Sequence, residues 1–257
     1  MDKKYLFFDI DGTLTDPETA ILVPSAVETL AKLQENGHFV AIATGRAYYK
    51  AKDIMKDCGL RNMVCYGGGG LVIDDKLVKC EPLDIKMVKK LAHECDDKNI
   101  GYFVLLDDSE NAYSKDDLFN KQTENRITGF NHIINKNFDI DSVDTVYKMY
   151  AAISKDKEED IVSLKDWGFL RLRDPYVIIQ YDKKDEGIKQ MVEYLHGDEK
   201  DIVVFGDDTN DMIMFRPEWT SIAMGNGIDA LKEKASYVTA KSVDDGVKKA
   251  CEHFGWI

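Results

Sequence analysis

The stretch that most constrains this chain is Lys4-Tyr5-Leu6-Phe7-Phe8-Asp9-Ile10-Asp11-Gly12-Thr13-Leu14. An apolar run stops at two carboxylates that flank one isoleucine, and a glycine follows. A strand buried on both faces of a sheet reads as such an unbroken run. An unpaired carboxylate inside a core is penalised by roughly several kcal/mol. At the carboxyl end of a buried strand, where open α/β sheets hold their ligands, Asp9 has a reason to exist. The Asp-Gly pair also reads as an ordinary hairpin turn, so this stretch alone leaves two readings open.

The rest of the chain narrows them. Pro24 to Asn36 carries Val27, Leu30 and Ala31 at helical spacing, and Gly37 ends it. His38 to Thr44 is a second buried strand, followed by Gly45-Arg46 and a helical stretch to Cys58. Asn62 to Tyr66 is a third strand, running into Gly67-Gly68-Gly69-Gly70. Strand-helix alternation of this kind predicts a parallel sheet with right-handed crossovers. The rhythm changes near Glu81-Pro82. It predicts a helix from Ile85 to Cys95, strands at Tyr102–Leu106 and Val146–Ser154, a charged helix over Lys157–Lys165, and paired strands at Phe169–Arg173 and Tyr176–Ile179 turned by Asp174-Pro175. The first rhythm then returns, with a helix over Lys184–His196, the run Ile202-Val203-Val204-Phe205 ending in Gly206-Asp207-Asp208-Thr209-Asn210-Asp211, and short strands at Ser221–Met224 and Tyr237–Thr239. The expected fold class is α/β: a Rossmann-like parallel-sheet core over 1–81 and 183–257, interrupted by an inserted α+β cap over 82–182.

Charge and cysteine content exclude several roles. A formal net charge of -13 over 257 residues argues against a general nucleic-acid binder, which needs a basic surface. No apolar run approaches the roughly 20 residues of a membrane helix, and Asp9 and Asp11 interrupt any signal-peptide pattern. A cytoplasmic protein is expected. Five scattered cysteines without a CxxC pair read as free thiols, and five histidines lack metal-ligand spacing.

Four strand ends therefore carry polar groups: Asp9 with Asp11, Thr44, the glycine run, and Asp207 through Asp211. In an open parallel sheet these ends share one edge. Asp9, Asp207 and Asp211 packed together would repel one another and raise their own pKa values. A divalent cation removes that problem, and an all-oxygen set favours Mg2+. A carboxylate beside Mg2+ and a bound phosphate is able to attack phosphorus. Phosphoryl transfer then needs hydroxyl and cationic donors around it, and Thr44 and Lys184 are candidates.

The set DxDGT, Thr44-Gly45-Arg46, Lys184-Asp185-Glu186-Gly187-Ile188, GDxxND and Ala223-Met224-Gly225-Asn226-Gly227 resembles the haloacid dehalogenase-like hydrolases. The large insertion between the threonine and lysine motifs is similar to that of their Cof-type phosphatases, subclass IIB. The resemblance implies Asp9 as nucleophile and Asp11 as general acid and base. It implies phosphate binding by Thr44, Gly45, Lys184 and Asn210, and Mg2+ held by Asp9, Asp11 (through its backbone carbonyl), Asp207 and Asp211. Lys183 rivals Lys184, but the Lys-x-x-Gly-Ile spacing selects Lys184. Asp208 is either a further metal partner or a solvated loop residue.

Many relatives carry Asn-Gly where this chain has its glycine run; the amides of Gly67 and Gly68 either stand in at an anion or belong to a flexible loop. The cap is expected to close over the site. Arg46 is a candidate substrate contact. Arg171 and Arg173 share one strand face and are either contacts for a second anionic group of the substrate or part of a solvated sheet face paired with the cap's acids. Cap aromatics, including Tyr102, Phe103, Tyr113, Tyr147, Tyr150, Trp167 and Tyr176, read as core. The expected partner is a small phosphorylated metabolite such as a sugar phosphate or phosphorylated cofactor. A sugar phosphomutase and a non-catalytic phosphometabolite-binding regulator are the alternatives. The first is disfavoured by a cap with only three arginines, Arg126, Arg171 and Arg173, and the second by the survival of every acid the chemistry needs.

Overall fold

The structure is a computed structural model and describes residues 2–166, 168–171 and 173–257. The first strand is the opening run, β1 (Tyr5–Phe8), with all four side chains buried. Helix α1 (Pro24–Glu35) begins on a proline, whose missing N–H is no loss at a first helical position. Gly37, at a φ of +87°, turns the chain into β2 (Phe39–Ala43). Helix α2 (Tyr48–Asp57) and β3 (Met63–Cys65) follow. Two strands then extend the sheet, β4 (Gly70–Ile73) and β5 (Lys76–Cys80). They lie beyond the sequence reading, which stopped at the glycines. β4 pairs antiparallel with β3, and the half-exposed residues of β5 at the sheet edge carry too mixed a pattern to stand out as buried.

The chain divides into two units, Met1–Lys79 with Lys183–Ile257, and Cys80–Asp182. The inserted unit begins with α3 (Ile85–Asp97), whose N-terminus is capped by the Asp84 carboxylate accepting from the amides of Lys86 and Met87. It continues through β6 (Tyr102–Leu105), β7 (Asn111–Ser114), α4 (Leu118–Gln122), β8 (Asn131–Ile134), β9 (Lys148–Ala151), β10 (Phe169–Leu170) and β11 (Val177–Ile179). The strands form one sheet in the order β10-β11-β9-β6-β7-β8. Val88, Leu91, Ala92 and Cys95 of α3 bury themselves with Phe103, Met149 and Ile179. Tyr102, Phe103, Tyr150 and Tyr176 are core, with Phe103 stacked on Tyr150 at 4.6 Å. The helix expected over 157–165 is two 3-10 segments, Lys155–Asp160 and Val162–Asp166, and the strand expected to reach Arg173 ends at Leu170. The expectations for Trp167 and Leu172 lie outside the described residues.

The first unit resumes with α5 (Lys184–Tyr194), β12 (Ile202–Gly206), β13 (Thr220–Ala223), α6 (Asp229–Lys234), β14 (Tyr237–Val238) and α7 (Gly246–His253). Its sheet runs β14-β13-β12-β1-β2-β3-β4-β5, parallel from β14 through β3. From β1 the chain first moves outward through β2 and β3; it later re-enters at β12 on the other side of β1 and moves outward again. The strand order therefore reverses between β1 and β12, where open α/β sheets bind ligands. All five cysteines are free. Among the described residues no helix is long and apolar enough to cross a membrane.

Candidate active site

Parallel pairing of β1 with β12 matches Phe8 to Phe205, so the residues that follow each strand emerge side by side. The amide of Asp9 still donates to the Phe205 carbonyl at 3.1 Å. Asp9 leaves β1 almost fully buried, and the chain at once makes a tight turn over Ile10–Leu14. Gly12 makes that turn possible. Its φ is +80°, and a Cβ there would sit 2.1 Å from Oδ2 of Asp207. The loop after β1 thus rests directly against the loop after β12.

Carboxylate oxygens of Asp9, Asp207 and Asp211 lie within 4.8 Å of one another, the one such group among the described residues. Nζ of Lys184 completes the cluster, 2.8 Å from Asp9 Oδ1 and 2.7 Å from Asp211 Oδ1, with the lysine 1% exposed. Lys183 instead faces Glu186 with over half of its side chain exposed. Of the two lysines, it is Lys184 that meets Asp9.

One cation against three acids leaves the cluster short of positive charge, and the pKa values record it. Burial first, then the charge of Asp211, raise Asp9 to about 7 despite the opposing pull of Lys184. Burial, followed by Asp9, Asp211 and Asp208, pushes Asp207 up to about 8. Burial works against the charge on Lys184, but Asp211 and Asp9 outweigh it and hold the ammonium above its ordinary value. Such a set is suited to a hard divalent cation.

The three acids are not equivalent. Asp211 is the most engaged: Oδ1 takes Lys184, and Oδ2 accepts the amides of Asp207 at 2.9 Å and Asp208 at 3.2 Å. Asp9 Oδ2 accepts no hydrogen bond from the described residues. Asp207 is held only by long contacts, from Thr13 Oγ1 at 3.4 Å and Asn226 Nδ2 at 3.5 Å. Asp9 and Asp207 are thus the least engaged of the three acids that could hold a metal. Asp208 is exposed and accepts from the amide of Thr209 at 2.6 Å, capping the short helix Thr209–Met214.

Thr44 sits at the end of β2, buried, its Oγ1 accepting the Arg46 amide at 3.1 Å and keeping its own proton to donate. Gly45 lies between them on the same turn. Asn210 is half-buried, and its side chain has no hydrogen-bond partner among the described residues. Arg46 grips Asp11 with two nitrogens, Nε to Oδ2 at 3.1 Å and Nη2 to Oδ1 at 2.5 Å.

The glycine run packs against the start of α5. The Gly67 amide donates to the Thr44 carbonyl at 3.1 Å, and the Gly67 carbonyl accepts the Lys183 amide at 2.8 Å. Gly68 has a φ of +107°, and a Cβ on it would lie 2.0 Å from the Lys183 carbonyl oxygen. A Cβ on Gly187 would in turn meet Gly68 at 2.8 Å. The glycines let the start of α5 lie backbone to backbone against this turn, which carries Lys184 into the acids.

Arg171 and Arg173 belong to the inserted unit. Arg171 is already engaged there by Glu158, Asp174 and the carbonyls of Ile153 and Tyr176, so it is a strut of that unit and not a free anion receptor. Arg173 is exposed. Sequence reasoning missed Asn226, although it noted the motif around it. Nδ2 of Asn226 donates to the Gly12 carbonyl at 2.8 Å, and Oδ1 accepts the Ser242 amide at 2.8 Å, tying three loops together beside Asp207. The flanking glycines were the available signal, since Cβ atoms on Gly225 or Gly227 would meet backbone within 3 Å.

The profile of the haloacid dehalogenase-like hydrolase family matches residues 6–251. The chain is 28% identical to the putative phosphatase YkrA of Bacillus subtilis, covering 99% of each chain. It is also 28% identical to the B. subtilis 5-amino-6-(5-phospho-D-ribitylamino)uracil phosphatase YitU, covering 98% of each. Among solved structures, the subclass IIB sugar phosphatase BT4131 superposes with a TM-score of 0.81 at 23% identity, over 99% of this chain and all of that one. A buried acid cluster at the switch point of a parallel sheet, interrupted by an inserted unit, thus has an established setting: the chain belongs to the haloacid dehalogenase-like hydrolases.

Proposed function

We propose that the protein hydrolyses phosphate monoesters of small metabolites through a phosphoryl group carried on Asp9, with Mg2+ as its metal. The observation that carries this reading is the meeting of Asp9, Asp207 and Asp211 around Lys184. Asp9 and Asp207 would hold the ion, together with the Asp11 carbonyl. Asp211 would fix Lys184 and the 207–208 backbone. Mg2+ supplies charge neutralisation for the acids and the phosphoryl oxygens.

In the first step a carboxylate oxygen of Asp9 forms a bond to phosphorus. The ester P–O bond breaks, its electron pair goes to the leaving oxygen, and that oxygen takes a proton from Asp11. Lys184 and the Thr44 hydroxyl would steady the equatorial oxygens. In the second step water attacks phosphorus and gives its proton to Asp11, and the electron pair of the phosphorus bond returns to Asp9. The substrate class follows the chemistry named for relatives, a phosphorylated ribityl compound for YitU and phosphoglycolate for a Methanosarcina acetivorans enzyme 26% identical to this chain.

The test is phosphate release from a panel of phosphorylated polyols, sugars and acids with Mg2+, with EDTA as the control. A rapid acid quench followed by peptide mass spectrometry should find one phosphoryl group on Asp9. Asp9→Asn should remain folded and be inactive. Turnover that survives Asp9→Asn would assign the nucleophile elsewhere.

A further inference from the structure

Asp11 stands apart from the buried cluster. Its side chain is 58% exposed, and the acids that surround Lys184 do not include it. An acid in that position swings freely through water unless something holds it, and proton transfer demands a carboxyl kept within hydrogen-bond reach of the leaving oxygen. The holder is Arg46. Its Nε and Nη2 take one Asp11 oxygen each, in the planar fork that fixes a carboxylate's rotation as well as its position. Arg46 is itself anchored, its amide donating to Thr44 Oγ1 at 3.1 Å and its carbonyl accepting the Tyr66 amide at 2.8 Å. The two residues sit on the loops that follow neighbouring parallel strands, β1 and β2. A pair this exposed adds little to stability, so its use lies in geometry.

We propose that Arg46 is the positioning residue for Asp11, acting on the reaction through that carboxylate and not by binding substrate. The proposal rests on the phosphatase reading above. When Asp11 has passed its proton to the leaving oxygen, it remains as a carboxylate already clasped by the guanidinium, and it is aimed to take the proton of the attacking water.

The experiment compares the wild type, Arg46→Ala, Arg46→Lys, Asp11→Asn and the double variant, each with Mg2+. First turnovers are followed by quench-flow on a simple alkyl phosphate and on 4-nitrophenyl phosphate. The alkyl leaving oxygen needs a proton and the nitrophenolate does not. Arg46→Ala should slow the alkyl ester roughly 10- to 100-fold at saturation, within the range general acid catalysis supplies, and leave the first turnover of the nitrophenyl ester nearly unchanged. Arg46→Lys should recover only part of the loss, since an ammonium has no fork. In the Asp11→Asn background Arg46→Ala should change nothing further.

Equal losses in both backgrounds, or a raised KM with kcat intact, would make Arg46 a substrate contact and overturn the proposal. A wild-type protein inactive on every ester would instead bring down the phosphatase reading, and this proposal with it. Active wild type with an unaffected Arg46→Ala removes the proposal alone.

Discussion

Lys184→Met offers the sharpest test of the electrostatic reasoning. The ammonium is fully buried and bonded to two carboxylates that are themselves buried, at 2.8 and 2.7 Å. Methionine is close in length and apolar, so the packing of α5 survives while the charge is lost. Removing one partner of a buried ion pair is typically destabilising by about 3–5 kcal/mol, because the remaining charge has no compensation. Against the 5–15 kcal/mol that holds a typical domain together, roughly, that is a large fraction. The loss should depend on pH, with a definite sign. Lys184 stabilises only ionised partners, and Asp9 holds its proton up to about 7. The gap between wild type and variant is therefore smallest near pH 5 and largest near pH 8, where Asp9 is a bare carboxylate. Urea unfolding in EDTA, followed by circular dichroism at both pH values, reads it directly as a shift in midpoint. A midpoint unchanged at pH 8, or a gap that widens toward acid, would refute the argument that Lys184 serves as counter-ion to these acids.

The metal-free wild type should itself lose stability between about pH 5 and 8. Asp9 and Asp207 keep their protons to about 7 and about 8 when folded, whereas their unfolded forms, near 3.8, are already ionised. The folded state thus binds more protons through that window, and stability falls as pH rises. Mg2+ at a hundredfold excess over its Kd should return about 2.7 kcal/mol, and a metal-free melting temperature that climbs from pH 5 to 8 would contradict the raised pKa values. Gly68→Ala forces a Cβ into the Lys183 carbonyl at a φ of +107°. It should destabilise by roughly 2–4 kcal/mol and displace Lys184, which thermal melts and turnover both report. Asp208→Ala should cost only about 1 kcal/mol through the lost cap and leave kcat nearly intact, whereas a metal ligand would lose Mg2+ affinity in a titration. Lys184→Ala should lower the rate roughly 10²–10³-fold, as expected for a lost charge-stabilising donor, and Lys183→Ala should do far less in the same assay.

What the letters revealed and what they hid follow one physical division. Tyr5 to Phe8 and Ile202 to Phe205 are legible as strands because both faces of each are buried, so every position is apolar. The acids after them are legible as a site because a carboxylate at such a strand end has no packing role. Strand β5 escaped notice because it lies at a sheet edge where half-exposed positions mix lysine with leucine, and β7 and β8 because Asn111 to Ser114 and Asn131 to Ile134 carry the polar residues of a partly exposed sheet. The glycine run shows a second kind of concealment. Four glycines report that a Cβ is forbidden somewhere, but the forbidding partner of Gly68, the carbonyl of Lys183, lies more than a hundred residues away in sequence and becomes adjacent only when the inserted unit has been passed. Arg46 and Arg171 show a third. Each reads as a spare cation, yet each finds acids once folded, Asp11 in one case and Glu158 with Asp174 in the other. In a chain with 47 acidic and 34 basic residues a guanidinium has many possible partners, and only the fold chooses among them. Where composition is this lopsided, an arginine assigned from sequence to an incoming anion competes with an excess of resident carboxylates. The arginine whose resident partner is the proposed general acid, Arg46, is therefore the one whose substitution should change the chemistry.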